Sequence, residues 1–151
     1  MLSNTPIKPP EWVANYIGIP FYLGGRGLNG ADCWGLVRLV MTNQFGIKLP
    51  SHSTTYEELD PTELWATLSH LLVAEKNAHP ETWKPIILNE ICSGDLLLIR
   101  MRGYAVHVAI VVANGWMLHT EEGLDSVCEQ FRGSRWQHRI LGAYRHVRLC
   151  S

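Results

Sequence analysis

One cysteine stands where a thiol could act as a nucleophile. Of the four cysteines, Cys33 directly follows a glycine-rich segment, residues 24–30, and opens a helical pattern. The free N–H groups in the first turn of a helix favour an anion and can bind the oxyanion of a tetrahedral intermediate. Asp32 suits the N-cap of that helix. We therefore expect Cys33 to be a nucleophile with a lowered pKa, although a cysteine on an apolar stripe is more often a core residue.

A cysteine nucleophile needs a base, and two of the seven histidines are suitably placed. His107 and His119 are each a lone polar residue in an apolar strand, AVHVAIVV and WMLHT. His107 would take the thiol proton and His119 would orient the His107 ring. Side chains alternate along a strand, so a plain two-residue turn at Asn114-Gly115 would put the two histidines on opposite faces. We predict a longer loop or a bulge that restores a common face.

The elements that must position these residues are a helix and an antiparallel sheet. A short helix is expected over 10–19, and a second runs from Asp32 to a stop at Gly46. Strands are expected over 95–101, 106–112 and 116–120, with one or two more at 126–130 and 139–146. Residues 47–90 indicate a mainly helical insertion, with a helix that begins at Asp60 and Pro61. The order is α+β, in a single domain over 1–151.

Composition narrows the possible classes of protein. The 151 residues are 46% hydrophobic and 18% charged, as in a soluble globular domain, and the net charge of −1 gives no reason to expect nucleic acid as a partner. No Cys-x-x-Cys pair is present, which disfavours a zinc ribbon. The start, MLSNTPIKPPEW, lacks the apolar core of a signal peptide, and the longest apolar run is too short to span a bilayer.

Two segments resemble the NlpC/p60 family of cysteine peptidases. FYLGGRGLNGADCWGLVRLV is similar to the family's nucleophile segment, roughly Tyr-x-x-Gly-Gly, a short loop and Asp-Cys-Ser-Gly. GDLLLIRMRGYAVHVAIVVANGWMLHT is similar to its second half, with Gly-Asp, a His-Val-Gly-Ile strand, a turn and a second histidine. Together they cover roughly residues 20–45 and 93–120. DCWGLVRLV, FGIKLP and LGAYRHVR look like the phage tail branch of the family.

The resemblance implies a papain-like fold in which the helix that carries Cys33 packs on an antiparallel sheet. It implies a catalytic set of Cys33, His107 and His119 that uses no metal or cofactor. The substrate would be peptidoglycan, cut in its stem peptide between D-glutamate and the diamino acid. A tail protein of this kind would open the cell wall locally during DNA entry or take part in tail assembly. It would contact other tail proteins, and would reside in the virion tail, or in the bacterial cytoplasm before assembly.

Three departures from the family pattern concern the substrate side of the site. Phe21 occupies the family's tyrosine position, with Tyr22 one place along as the candidate oxyanion hydroxyl. Trp34 replaces the serine that follows the cysteine, where some members read a free substrate amine, while Asp32 is retained. Ala109 replaces a glycine after the first histidine. Asp32, Tyr22 and Trp34 are therefore the candidate substrate-binding or oxyanion residues.

Other functions remain open at this stage. A structural tail component with little hydrolytic activity would keep the fold, although it would not require all three catalytic residues. An acyltransferase on the same fold would need an apolar lipid groove. A zinc site built from Cys33, His107 and His119 would have enough ligands, but it would give the glycine loop and the helix start no role.

Overall fold

The protein was analysed as a computed structural model that describes residues 7–51, 82–100, 106–133 and 135–150. The helix expected to begin at Asp60 and Pro61, and most of the expected insertion, lie outside these ranges. Within the described ranges, no helix is both long enough and apolar enough to cross a membrane.

The helix that carries the candidate nucleophile begins and ends as its sequence predicts. Helix α1 spans Cys33–Phe45, and the Asp32 carboxylate at its N-cap accepts a hydrogen bond from the Gly35 amide. Gly46 ends it in the left-handed conformation, with φ of 66°, which costs glycine little. One face of the helix is buried, including Cys33, Leu36, Val37, Val40 and Met41. Capping at both ends therefore fixes where Cys33 sits in the first turn.

A six-stranded antiparallel sheet packs against α1. A two-stranded hairpin in the glycine-rich loop precedes the helix and consists of β1 (Arg26–Gly27) and β2 (Gly30–Ala31). The strands of the main sheet are β3 (Trp83–Ile86), β4 (Leu96–Arg100), β5 (Val106–Ala113), β6 (Trp116–Glu121), β7 (Leu124–Gln130) and β8 (Ile140–His146). Their order across the sheet is β3-β8-β4-β5-β6-β7. The expected α+β layout is confirmed.

Two predicted segments differ from the structure. The helix expected over 10–19 is a single 3-10 segment, Glu11–Tyr16. Residues 83–86, which we placed in the insertion, instead form β3, which within the described part of the chain is an edge strand paired with β8. This strand contains Pro85, which has no N–H for a ladder and is therefore tolerated only at an edge. That proline obscured the strand pattern in the sequence.

The sheet is buried on both faces. The face toward α1 carries the even-numbered side chains of β5, such as Val108 and Ile110, which pack with the apolar stripe of the helix. The opposite face carries Ala109 and Val111, which pack with Met117, Phe131 and Trp136. Because both faces are covered, β5 reads as a nearly continuous apolar run, and His107 is conspicuous within it.

The glycine-rich loop lies directly on the start of α1. A Cβ atom added at Gly35 would lie 2.1 Å from the carbonyl oxygen of Gly25, and one added at Gly25 would lie 2.4 Å from that of Gly30. Both neighbours are backbone atoms, so a side chain at either position would displace the loop. The glycines therefore allow the loop and the nucleophile helix to make backbone contact.

Replacing Gly35 by alanine is expected to destabilise the fold by about 1–3 kcal/mol, the usual cost of overpacking. The new methyl group would push the Gly25 carbonyl away from α1. Chemical denaturation of the variant measures the loss. Gly27→Ala is the matched control, because a Cβ there meets nothing within 4 Å. Equal stabilities of the two variants would contradict the close-contact interpretation.

Candidate active site

A β-bulge brings the two strand histidines to one face. Strands β5 and β6 are joined by the two-residue turn Asn114-Gly115, and Ala113 pairs with Trp116. The register then shifts, so that Val111 pairs with Met117 and Val112 is left without a partner. The predicted irregularity is thus confirmed. It turns His119 to the same side as His107, where the two imidazoles meet.

Nitrogen atoms of the two imidazoles lie within hydrogen-bonding distance. Nε2 of His107 is 3.1 Å from Nδ1 of His119, and both side chains are fully buried. Nδ1 of His107 is also buried, and it has no hydrogen-bond partner among the described residues. Burial, and then the neighbouring His119, lower the pKa of His107 from 6.5 to about 3. The His107 ring is therefore neutral at physiological pH.

The candidate nucleophile contacts the backbone of Val108, the residue that follows the first of these histidines. Cys33 is fully buried in the first turn of α1, and its sulfur interacts with the backbone amides of Val108 and Trp34. The amide of Val108 belongs to the peptide unit that joins Val108 to His107. The pairing of β5 with β6 runs from Ala113 and Trp116 to Ile110 and Leu118. The part of β5 before Ile110, which includes Val108, is therefore available to contact the start of α1. The fold thus brings the thiol to the backbone of the residue that carries the candidate base.

The charge state of Cys33 differs from the sequence expectation. Burial, and then the Asp32 carboxylate, raise the pKa of the thiol from 9.0 to about 12. The Val108 amide and the Arg26 guanidinium act in the opposite direction but are outweighed. The expectation of a lowered pKa is wrong for this state of the protein, because the helix start is buried and its N-cap is an anion. The resting pair is a neutral thiol and a neutral imidazole.

Beyond His119 lie two residues that the sequence analysis missed. Nε2 of His119 is 2.5 Å from Oε2 of Glu129, on strand β7. The ring of Trp136 packs edge-on against His119, with centroids 5.0 Å apart, and is almost fully buried. Residues 126–130 were expected to be a strand, but which strand they pair with could not be read from the sequence. Without that register, Glu129 had no signal linking it to His119.

The three candidate substrate residues lie in different environments. Asp32 is fully buried, and its carboxylate accepts bonds from the Gly24 and Gly35 amides and from Arg26, each 2.8 Å long. Trp34 is also buried, and its indole N–H donates to the Pro50 carbonyl.

Tyr22 is 68% exposed and lines a shallow groove of about 360 Å³ with Leu28 and Asn29. Asp32 and Trp34 are thus engaged with the protein itself, whereas Tyr22 is open to solvent. A substrate or oxyanion role for any of the three stays a prediction.

The described residues contain no group of three or more histidine, cysteine, aspartate or glutamate side chains placed to hold a metal ion.

Comparison with known proteins places this arrangement in a family. The model of the NlpC/P60 family matches residues 18–145. The chain belongs to the NlpC/P60 family. It is 26% identical over 147 residues to the murein DD-endopeptidase MepS/murein LD-carboxypeptidase of Escherichia coli strain K12, which covers 96% of this chain and 66% of that protein. The chain thus spans about two thirds of the length of the curated relatives it matches.

Solved structures share the fold of this NlpC/P60 chain. The NlpC/p60 domain of the peptidoglycan hydrolase SagA superposes with a TM-score of 0.52 at 20% identity, over 86% of this chain and 89% of that domain. NlpC2 from Trichomonas vaginalis gives a TM-score of 0.61 at 15% identity, over 90% of this chain and 45% of that one. The papain-like fold expected from the sequence is confirmed.

Alkylation should report the neutral state of the Cys33 thiol in this NlpC/P60 chain. With a pKa of about 12, its thiolate fraction near pH 7.5 is on the order of 10⁻⁴–10⁻⁵, and it rises tenfold with each pH unit below 12. Iodoacetamide should therefore modify Cys92 and Cys150, which are exposed, before it modifies Cys33. Peptide mass mapping over a pH series measures the order. Fastest labelling at Cys33 near neutral pH would instead show a preformed thiolate.

Proposed function

We propose that this chain is a cysteine endopeptidase that hydrolyses peptidoglycan stem peptides, with Cys33 as nucleophile, His107 as base and His119 as its orienting partner. The observation that carries the proposal is that Nδ1 of His107 has no hydrogen-bond partner among the residues that the structure describes. This nitrogen is buried. His107 directly precedes Val108, whose backbone amide contacts the Cys33 sulfur. A buried nitrogen without a partner is costly in a folded protein. Accepting the thiol proton would give it a role.

The proposed hydrolysis proceeds through a thioester on Cys33, with His107 as the base. Nδ1 of His107 takes the proton of Cys33 as the sulfur attacks the substrate carbonyl carbon, and the N–H groups at the start of α1 stabilise the resulting oxyanion. The imidazolium then returns the proton to the leaving amine, which leaves a thioester. Water hydrolyses the thioester with His107 again acting as base. Because Cys33 is fully buried in this structure, substrate binding has to expose it.

The shifted pKa values of Cys33 and His107 oppose proton transfer between them, so the proposed step requires that exposure of Cys33 on substrate binding also brings these pKa values closer together. The thiol and the imidazole both begin uncharged, so charge separates only when the proton moves. A water-filled groove would favour a thiolate before the substrate arrives, whereas burial delays ionisation until the sulfur attacks. The site is thereby kept from reacting with other electrophiles.

The substrate class rests on the relatives. One is named as a murein endopeptidase and carboxypeptidase, and another as a peptidoglycan hydrolase. The bond that we propose lies between D-glutamate and the diamino acid, as the family resemblance implies. The name of the Escherichia coli relative points to other bonds, of the D–D and L–D types, so the bond needs a direct test.

Mass spectrometry of defined stem peptides tests the activity and the bond together. A cross-linked peptide gives different product masses when it is cut after D-glutamate, at the D–D cross-link or at a terminal L–D bond. The wild type should release the first set of products, and Cys33→Ala should release none. Release of products by Cys33→Ala would contradict the nucleophile, and products of the other two kinds would contradict the proposed bond. Intact peptides with the wild type would favour a structural role.

We further propose that the chain works in a phage or prophage tail, in contact with other tail proteins. The segments DCWGLVRLV, FGIKLP and LGAYRHVR, which resemble the tail branch of the family, support this. Immunoblotting of purified tail particles with an antibody to the chain should detect it. Its absence from intact tails would contradict the proposal.

A further inference from the structure

The hydrogen-bond chain of the site extends one residue beyond the two histidines. Nε2 of His119 lies 2.5 Å from Oε2 of Glu129. The contact follows from the sheet register, in which Glu129 on β7 pairs with Met117 on β6, two residues before His119. Such diagonal neighbours lie on one face and within reach of a long side chain. The Glu129 side chain is 27% exposed, whereas His119 is fully buried.

The Glu129 carboxylate sets the direction of both hydrogen bonds in the series that runs from His107 through His119 to Glu129. An ionised carboxylate only accepts hydrogen bonds, so Nε2 of His119 must carry a proton. In a neutral ring Nδ1 of His119 is then an acceptor, and Nε2 of His107 must donate to it across 3.1 Å. Nδ1 of His107 is consequently left with a lone pair. That nitrogen is the one the proposed reaction needs unprotonated.

Among the charged groups around His119, Glu129 is the strongest of those that raise its pKa. Burial lowers the pKa of His119, while Glu129, by hydrogen bond and by charge, and Glu121, by charge, raise it. Arg135 acts the other way, and it also bonds to Oε1 of Glu129 at 3.3 Å. His107 is a further titratable neighbour, through its 3.1 Å contact with Nδ1. Of the two carboxylates, only Glu129 hydrogen bonds to the ring.

We propose that Glu129 is a positioning residue that fixes the tautomers of His119 and His107 and so holds the lone pair of the base on Nδ1. The inference rests on the proposed function for its catalytic meaning, since Glu129 acts through His119 and does not touch the substrate. Glu129 also places a negative charge at the far end of this hydrogen-bonded series when His107 becomes an imidazolium. A neutral histidine alone supplies no such charge.

Three variants separate the tautomer from the charge. Glu129→Leu removes the acceptor and the charge, whereas Glu129→Gln keeps an acceptor oxygen and removes only the charge. Glu121→Gln is the matched control, because it removes a nearby carboxylate that makes no hydrogen bond to His119. Two-bond ¹H–¹⁵N spectra of the imidazoles report the tautomers directly, and thermal unfolding confirms that each variant is folded.

In the wild type and in Glu121→Gln, both rings should be in the Nε2–H form. In Glu129→Leu, Nδ1–H forms should appear. On stem peptide, kcat should fall about 100-fold in Glu129→Leu and about 10-fold in Glu129→Gln, with KM unchanged, which is at and below the lower end of what a positioned general base contributes. Unchanged tautomers in folded Glu129→Leu, or the same change in Glu121→Gln, would overturn the proposal.

The tautomer spectra decide the inference even if the wild type cleaves no stem peptide. In that case the proposed function fails by the mass-spectrometric test, while the spectra still show whether Glu129 sets the two rings. If Glu129→Leu does not fold, Glu129→Ala, which also removes the acceptor, is measured in its place: Nδ1–H forms support the proposal, and unchanged tautomers in the folded variant contradict it.

Discussion

The geometry of the whole site depends on one unpaired residue in a β-ladder. Val112 has no partner on β6, and this single offset reverses the face that every following residue of β6 presents. Without it, His119 would lie on the side of the sheet toward α1, among Val108 and Ile110, and would leave His107 without its partner. The hydrogen-bond chain that runs through His119 to Glu129 therefore depends on a backbone irregularity near the tip of a hairpin.

Around Cys33, two structural needs oppose each other. The start of α1 requires a cap, and Asp32 provides it, held by two amides and Arg26. The same carboxylate is an anion beside the thiol, so it disfavours the thiolate that the helix dipole would favour. Burial has the larger effect in the same direction, and the thiol is neutral at rest. In the proposed mechanism, the helix is capped in the resting protein and the thiol ionises only as it attacks.

Much of the site could be predicted because its signals are local. The cap at Asp32, the stop at Gly46 and the helix between them follow from residues adjacent in sequence. The bulge could be predicted as a requirement, since alternation along a strand makes it necessary, but not located at Val112. Glu129 could not be found, because its contact depends on which strand β7 joins and in what register.

The charge state of Cys33 and the edge strand β3 escaped prediction for related reasons. A helix N-terminus lowers a thiol pKa only where solvent or cations can support the anion, and burial is a property of the assembled fold. Strand β3 contains Pro85, which masks a strand in a local reading, and only its pairing with β8 reveals it. In each case the deciding information lies in contacts between residues distant in sequence.

The buried, protonated state of Cys33 also bears on how long the protein survives outside a reducing compartment. Peroxide attacks thiolates, and its selectivity follows ionisation and exposure. An oxidant that meets the folded chain reaches Cys92 and Cys150 first, since both are exposed. Sulfenic acids formed there lie on side chains outside the proposed site. The interior thiol of Cys33 is therefore oxidised after the two exposed cysteines.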